Sequence, residues 1–488
     1  MAEHDALTDL RSRYGTRHRW LMLFTVMIGS MAAIMSSTIM NVGIPDMSLH
    51  FRLGQERAQW VSSSFMVAMT VSMLLTPWLL ARFGYRRTYL GCMLLLLCAG
   101  VSGGLSRDFD LVLLARVAEG LAAGVVQPIP AIFILRAFDS AEQGRANSLF
   151  GMGVVLAPAI GPSIGGLLVD LLGWRSLFFM VVPFCLASMW LSMRYVPTTA
   201  PGGASANHGK PSLDLGGLSL ACAGTLSLLN GLVSLHRGQI GVACALLLFT
   251  TACLIGFIRW QQWQSARNAS PLLDLTLFRH RPFAMGTVVA FIYGSALFGS
   301  TYLIPVYLQL AQGLSPSHVG TLMLPAGLVL AATIAIVARY SSTHPTHLLV
   351  SIGLTLLALS FALMWLVPLH TALWVLVALA ILGRIGLGFV LPSLNIGAMR
   401  SLHPTLIPQG ASSINFVRML GGATGVSLCG ILLEWRIAAH GDNLTQTMSS
   451  TARLAAFNEV FLMLAAVCAL ALLVAWQIRE PHRHHPRS

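Results

Sequence analysis

Apolar blocks of about 20 residues, separated by short polar breaks, recur along almost the whole chain. A helix of that length crosses a hydrocarbon core about 30 Å thick while satisfying its own backbone. The pattern predicts spanning helices near residues 20–41, 58–81, 88–105, 111–135, 144–170 and 175–196. Two more are predicted near 214–236 and 239–259, and six near 282–310, 317–338, 346–367, 371–395, 409–433 and 456–476. The expected fold class is an all-α polytopic membrane protein with fourteen transmembrane helices. Residues 1–19 read as a cytoplasmic tail, 20–196 as a six-helix bundle and 197–213, rich in Pro, Gly and Ser, as a mobile linker. After them come an inserted helix pair at 214–259, a cytoplasmic loop at 260–281, a second six-helix bundle at 282–476 and a basic cytoplasmic tail at 477–488.

Composition agrees: 56% of residues are apolar and 10% charged, with a mean hydropathy of +0.74, which excludes an ordinary cytosolic enzyme. A net charge of +13 would suggest nucleic acid in a soluble chain. Here the 30 Lys and Arg sit in short loops, and with an even span count most of them fall on the side of the N-terminus. An odd count would reverse every later loop and erase that bias, so both termini are expected in the cytoplasm. The apolar block after the polar first 19 residues has no A-x-A site, so no removable leader is expected. All eight cysteines lie in apolar stretches without a C-x-x-C pair and read as small hydrophobes.

The two six-span blocks echo each other. Arg116 precedes Gly120 by four in the fourth span, as Arg384 precedes Gly388 in its counterpart. The fifth spans share Gly161-x-x-x-Gly165 and Gly421-x-x-x-Gly425. Two repeats around a central site is transporter architecture, with alternating access as the expected motion.

Seventeen acidic residues are present, and Glu119 alone falls well inside a predicted span. An ionisable group there is expensive and by default functional. Arg116, one turn earlier, lies within reach. The pair is either a structural ion pair or a proton site, where burial and the guanidinium pull proton affinity in opposite senses. Arg384 and Arg418 are further intramembrane cations without an acidic partner on their own helices. They either cap helix-end carbonyls or give a cavity positive potential. Met27, Met31 and Met35 form a stripe on the first span, followed by Ser36 and Asn41; packing and a pliable substrate pocket both fit. Gln127 and Tyr302 complete the candidates for cavity or gate. Gly153, Ala157, Gly161 and Gly165 place four small residues on one face of the fifth span, beside Pro158, Pro162 and Gly166. Small-residue packing of a proline-bent helix there suits a seal between the bundles. No metal-ligand spacing, P-loop or nucleophile elbow occurs, so no metal, cofactor or enzymatic chemistry is expected. The tail P-H-R-H-H-P-R-S reads as a basic tail rather than a metal site.

These motifs resemble the fourteen-spanner drug:proton antiporters of the major facilitator superfamily, the EmrB/QacA type. The stretch Gly153 to Leu167, G-V-V-L-A-P-A-I-G-P-S-I-G-G-L, is similar to the family's antiporter motif, followed by Trp174-Arg175. Arg116 and Gly120 match its R-x-x-Q-G motif, and P-L-L-D-L-T-L-F-R at Pro271 to Arg279 and L-I-P-V-Y-L-Q-L-A-Q-G at Leu303 to Gly313 are similar to signatures near the ninth span. The resemblance implies a major facilitator fold. Two departures matter most. The family's first-span Asp falls on Ser36, and its fourth-span Gln falls on Glu119, as if the titratable group had moved from the first helix to the fourth. In the loop after the second span, Pro77, Ala81 and Tyr85 replace Gly, Asp and Arg, while Gly84 and Arg86 remain.

The expected function is proton-coupled export of amphipathic drugs or toxic organic compounds across the bacterial inner membrane, powered by the proton gradient. Glu119 would carry the proton and Arg116 tune it. The expected partners are amphipathic small molecules, protons and the lipid bilayer, with no nucleic acid. Resemblance to the EmrB branch adds a periplasmic adaptor and an outer-membrane channel. The alternatives are a dedicated exporter of one metabolite, such as a siderophore or fatty acid, and an uncoupled facilitator or sensor.

Overall fold

The computed structural model describes residues 15, 17–53, 55–198, 212–267, 271–314, 316–341, 344–368, 371–400, 402–440 and 451–478. Most of the basic tail and most of the 197–213 linker lie outside the described residues. Among the described residues every regular element is helical: α1 (Arg17–His50), α2 (Gln55–Ser72), α3 (Thr76–Phe83), α4 (Tyr85–Leu105), α5 (Phe109–Val126), α6 (Ile129–Ala137), α7 (Ser140–Leu172), α8 (Ser176–Phe179) and α9 (Val181–Tyr195), then α10 (Leu215–His236) and α11 (Ile240–Ala266). The remainder are α12 (Arg281–Leu310), α13 (Pro316–Tyr340), α14 (Thr346–Trp365), α15 (Leu373–Gly397), α16 (Ile407–Ala439) and α17 (Thr451–Ala475), with short 3₁₀ turns between.

Among the described residues, twelve helical segments are long and apolar enough to cross a membrane. Two predicted spans are not among them. The fourth divides into α5, which carries Asp110, Arg116 and Glu119, and α6; the fifth is α7, whose mid-section side chains lie outside the described residues. Hydropathy alone ran the second, fourth and sixth spans straight through, whereas each is divided near proline. Pro77, Pro128 and Pro183 bring no N–H to the carbonyl four residues earlier and crowd the preceding turn.

The chain forms two compact units, Met1–Asp274 with Ile407–Phe416 and Leu275–Leu406 with Val417–Ser488. In the first, α5 packs on α2 and α4, and α1 packs on α7 and α9. In the second, α14 packs on α15 and α17, and α12 on α17. Backbone contact in both depends on glycine. A methyl group at Gly120 would lie 2.4 Å from the Phe65 carbonyl oxygen of α2, and one at Gly421 would lie 2.1 Å from that of Phe291 on α12. The repeat echo extends to packing. Gly153 and Gly165 of α7 face Met27 and Ile39 of α1, while Gly421 and Gly425 of α16 face Phe291 and Ser295 of α12.

Lipid offers apolar side chains nearly the same environment as the protein, so close van der Waals contact carries such interfaces. Gly421→Ala is therefore expected to destabilise by about 2 kcal/mol, as overpacking against rigid backbone does. Gly166→Ala, where nothing lies within 4 Å of the added carbon, is expected to be close to neutral. Thermal unfolding of both variants in detergent tests the contrast.

The α10–α11 pair is tethered by Asp214, the N-cap of α10. Its carboxylate accepts from Gly217 N, Trp260 Nε1 and Gln261 Nε2, each at 2.8 Å, and from Leu272 N at 3.3 Å. Gln261 Oε1 accepts from Leu273 N, and Gln409 Oε1 from Asp274 N, so the segment before α12 is held by side chains on both sides. Burial alone would push the Asp214 carboxyl up; the four hydrogen bonds outweigh it and hold the group below the usual carboxylate range. A depressed folded pKa stabilises fully above the unfolded value of about 3.9 and is lost as pH falls through the folded pKa. Wild type is accordingly expected to melt above Asp214→Asn at neutral pH, with the gap closing at acid pH. A gap independent of pH would contradict this.

Candidate functional site

Three buried side chains from two helices of the first unit meet at one point. Arg116 and Glu119 are one turn apart on α5 and fully buried; Ser36 on α1 is 1% exposed. Arg116 Nη1 donates to Glu119 Oε2 at 2.5 Å and to Ser36 Oγ at 2.9 Å, and the Ser36 hydroxyl donates to Glu119 Oε2 at 3.0 Å. The guanidinium also donates through Nε to the Val61 carbonyl at 3.0 Å and through Nη1 to the Ser36 carbonyl at 3.3 Å, and it lies 4.2 Å from the Phe65 ring centroid. Phe65 is held against α5 by the glycine contact at Gly120. Arg116 thus has the firmer set of partners, anchored to α1 and α2 by backbone carbonyls.

Two atoms of the cluster are left over. Glu119 Oε1 and Arg116 Nη2 are buried without a hydrogen-bond partner among the described residues. In a static ion pair such atoms carry the full desolvation penalty. A carboxyl oxygen free of protein donors is also where a proton would reside.

The cluster places Ser36 against Glu119, so the first-span and fourth-span departures from the antiporter pattern are neighbours 3.0 Å apart. Other candidates are more dispersed. Met35 is buried and Met27 is pressed against Gly153, which makes them packing residues, while Met31 is half-buried. Asn41 is exposed and accepts from Ser62 Oγ at 2.5 Å. Gln127 lies half-buried at the break between α5 and α6. In the second unit, Tyr302 is half-buried, and Arg384 and Arg418 are half-buried near the middle of their spans. Ala157, Pro158, Gly161 and Pro162 lie on the unbroken α7, with side chains outside the described residues; Gly166 faces open space.

The loop after α3 has kept a latch of another kind. Gly84, at φ 78°, ends α3, and Arg86 Nε donates to the Val196 carbonyl at 2.6 Å while Tyr85 N donates to that of Thr198. Tyr85 accepts from Arg136 at 2.9 Å, so the aromatic that replaces the family's Arg is itself bonded. Trp174-Arg175 closes the opposite turn, with Arg175 stacked on Trp174 at 4.4 Å and bonded to the Ser106 carbonyl. Sequence reading missed the Asp214 hub, although an Asp directly before an apolar helix is a cap signal. It also missed Arg453, which is 2% exposed and bonded to the Leu310 carbonyl, and the Arg436–Glu459 ion pair.

Membrane-length helices throughout, in two units with echoing glycine contacts and a polar cluster inside one of them, define a polytopic membrane transporter rather than an enzyme. The chain matches the Major Facilitator Superfamily over residues 26–426 and belongs to that family. It is similar to an uncharacterized MFS-type transporter of Bacillus subtilis, YcnB, at 24% identity over 96% of both chains. It is also similar to the multidrug resistance protein Stp of Mycobacterium tuberculosis, at 26% identity over 88% of this chain and 79% of that one. Similarity to the multidrug export protein EmrB of Haemophilus influenzae is 26% over 87% of this chain and 82% of that one. Among solved structures, the human organic anion transporter MFSD10 shares the fold with a TM-score of 0.65 at 14% identity, covering 94% of this chain and 99% of that one.

Proposed function

We propose that the protein is a proton-coupled exporter of amphipathic drugs or toxic organic compounds, an antiporter of the bacterial inner membrane working by alternating access. Relatives named for multidrug resistance and multidrug export support the efflux reading. The observation that carries the coupling is the Ser36–Arg116–Glu119 cluster, with an unpartnered carboxyl oxygen inside the membrane-spanning part of the chain. Glu119 binds the proton; Arg116 holds the carboxylate when the proton leaves; Ser36 is the switchable donor between α1 and α5. Rearrangement of α1 against α5 would break or remake these bonds and so change proton affinity with conformation. In this reading α5 with α6, and α7, add two spans to the twelve, giving fourteen: two six-helix bundles, an inserted pair, and both termini in the cytoplasm. A periplasmic adaptor and an outer-membrane channel are candidate partners.

The test is uptake by inside-out proteoliposomes holding the purified full chain, with an imposed proton gradient and a panel of amphipathic cations and weak acids. Accumulation above the external concentration, abolished by a protonophore, is the expected result. Equilibration that stops at equal concentrations would establish the uncoupled facilitator instead.

A further inference from the structure

The cations of the second unit have no role in the proton cluster. Arg384 on α15 and Arg418 on α16 each lie near the middle of a membrane-length helix. Both are within electrostatic range of the Tyr293 phenol on α12, which is 1% exposed. Arg418 is seated where α16 touches α12 backbone to backbone: a methyl group at Gly294 would lie 2.0 Å from the Arg418 carbonyl oxygen. Both arginines are half-buried.

Arg384 is the more informative. Its Nη1 and Nη2 both donate to Thr301 Oγ1 at 3.2 Å, and Thr301 is exposed. A guanidinium offers five N–H donors in a fixed fork, and a neutral hydroxyl neither fills that fork nor offsets its charge. An arginine at mid-membrane is costly to hold, which makes such a residue a site by default. Of the carboxylates described in this unit, Glu459 pairs with Arg436 and His440.

We propose that Arg384, oriented by the Thr301 hydroxyl, binds the head group of an amphipathic organic anion, a carboxylate or sulfonate. The oxygens of such a head group match the fork bidentately, while the Thr301 hydroxyl, which donates its own proton to the Leu297 carbonyl at 2.7 Å, presents its oxygen to Arg384 and orients the guanidinium. The assignment rests on the exporter reading and narrows its substrate class to anions.

Equilibrium binding to the purified full chain in detergent tests it, with pyrene-1-sulfonate as the anionic probe and tetraphenylphosphonium as the cationic one. Wild type is expected to bind the sulfonate at least about tenfold more tightly than the cation. Arg384→Gln is expected to weaken sulfonate binding about tenfold, the loss of a charged hydrogen bond, and to leave the cation unchanged. Arg384→Lys should recover part of the loss. The near-isosteric Thr301→Val, expected to weaken the sulfonate about threefold, keeps the test decisive if the arginine variants do not fold. Equal affinity for the two probes, no saturable sulfonate binding, or an unchanged sulfonate affinity in Arg384→Gln and Thr301→Val would overturn the site. Binding needs no gradient, so anion selectivity without proton-driven accumulation would keep the site and remove the coupling. Proton-driven accumulation with cation-selective binding would do the reverse.

Discussion

Glu119→Gln is expected to reduce proton-coupled transport to the level of protein-free liposomes while the protein remains folded and still binds substrate. The amide removes the titratable group but keeps a carbonyl oxygen where Glu119 Oε2 now accepts from Arg116 and Ser36. Arg116 also retains the Val61 and Ser36 carbonyls and the face of Phe65, so its charge is not stranded. The R-x-x-Q-G pattern that the fourth span resembles carries Gln at this position, which argues that an Arg–Gln pair is compatible with the fold. The cluster geometry adds a second half. Because Ser36 Oγ is 3.0 Å from the Glu119 carboxylate, Ser36→Asp in the Gln variant returns a carboxylate to the same guanidinium from the other helix. Partial recovery of coupling in the double variant is the expected outcome, and full activity of the Gln variant alone would sink the account.

Arg116→Met is expected to be the most damaging single change to stability, at about 3–5 kcal/mol, the range for breaking a buried pair by removing one partner. It leaves Glu119 and the Val61 and Ser36 carbonyls without their donor in the buried interior of the first unit. The double variant Arg116→Met with Glu119→Gln is expected to recover part of that loss, since replacing both charges removes the uncompensated one. The asymmetry is specific: among the described residues Arg116 bonds to α1, α2 and Glu119, whereas Glu119 bonds only to Arg116 and Ser36. Denaturant unfolding of the two single variants and the double variant yields the coupling energy. Equal stabilities for both single variants would contradict this reading.

The helical, membrane-spanning fold was legible because apolar blocks of the right length leave few alternatives. The breaks at Pro77, Pro128 and Pro183 were visible as residues but outweighed by continuous hydropathy. The candidate site was half legible. Arg116 and Glu119 are one turn apart on a helix, so their pairing follows from spacing alone. Ser36 is 83 residues away, and only packing of α1 on α5 brings it to the carboxylate. Asp214 shows the same limit: its cap role is local, but Trp260, Gln261 and Leu272 converge on it through the return of α11 alongside α10.

The central claim is that Glu119 carries a proton that substrate displaces. Infrared difference spectroscopy of the reconstituted protein, recorded on substrate addition, observes this directly through the carbonyl stretch of a protonated carboxyl group. The account predicts loss of such a band in wild type and no corresponding change in Glu119→Gln. A band that persists in the Gln variant, or a wild type that transports against a gradient without any such band, would contradict it.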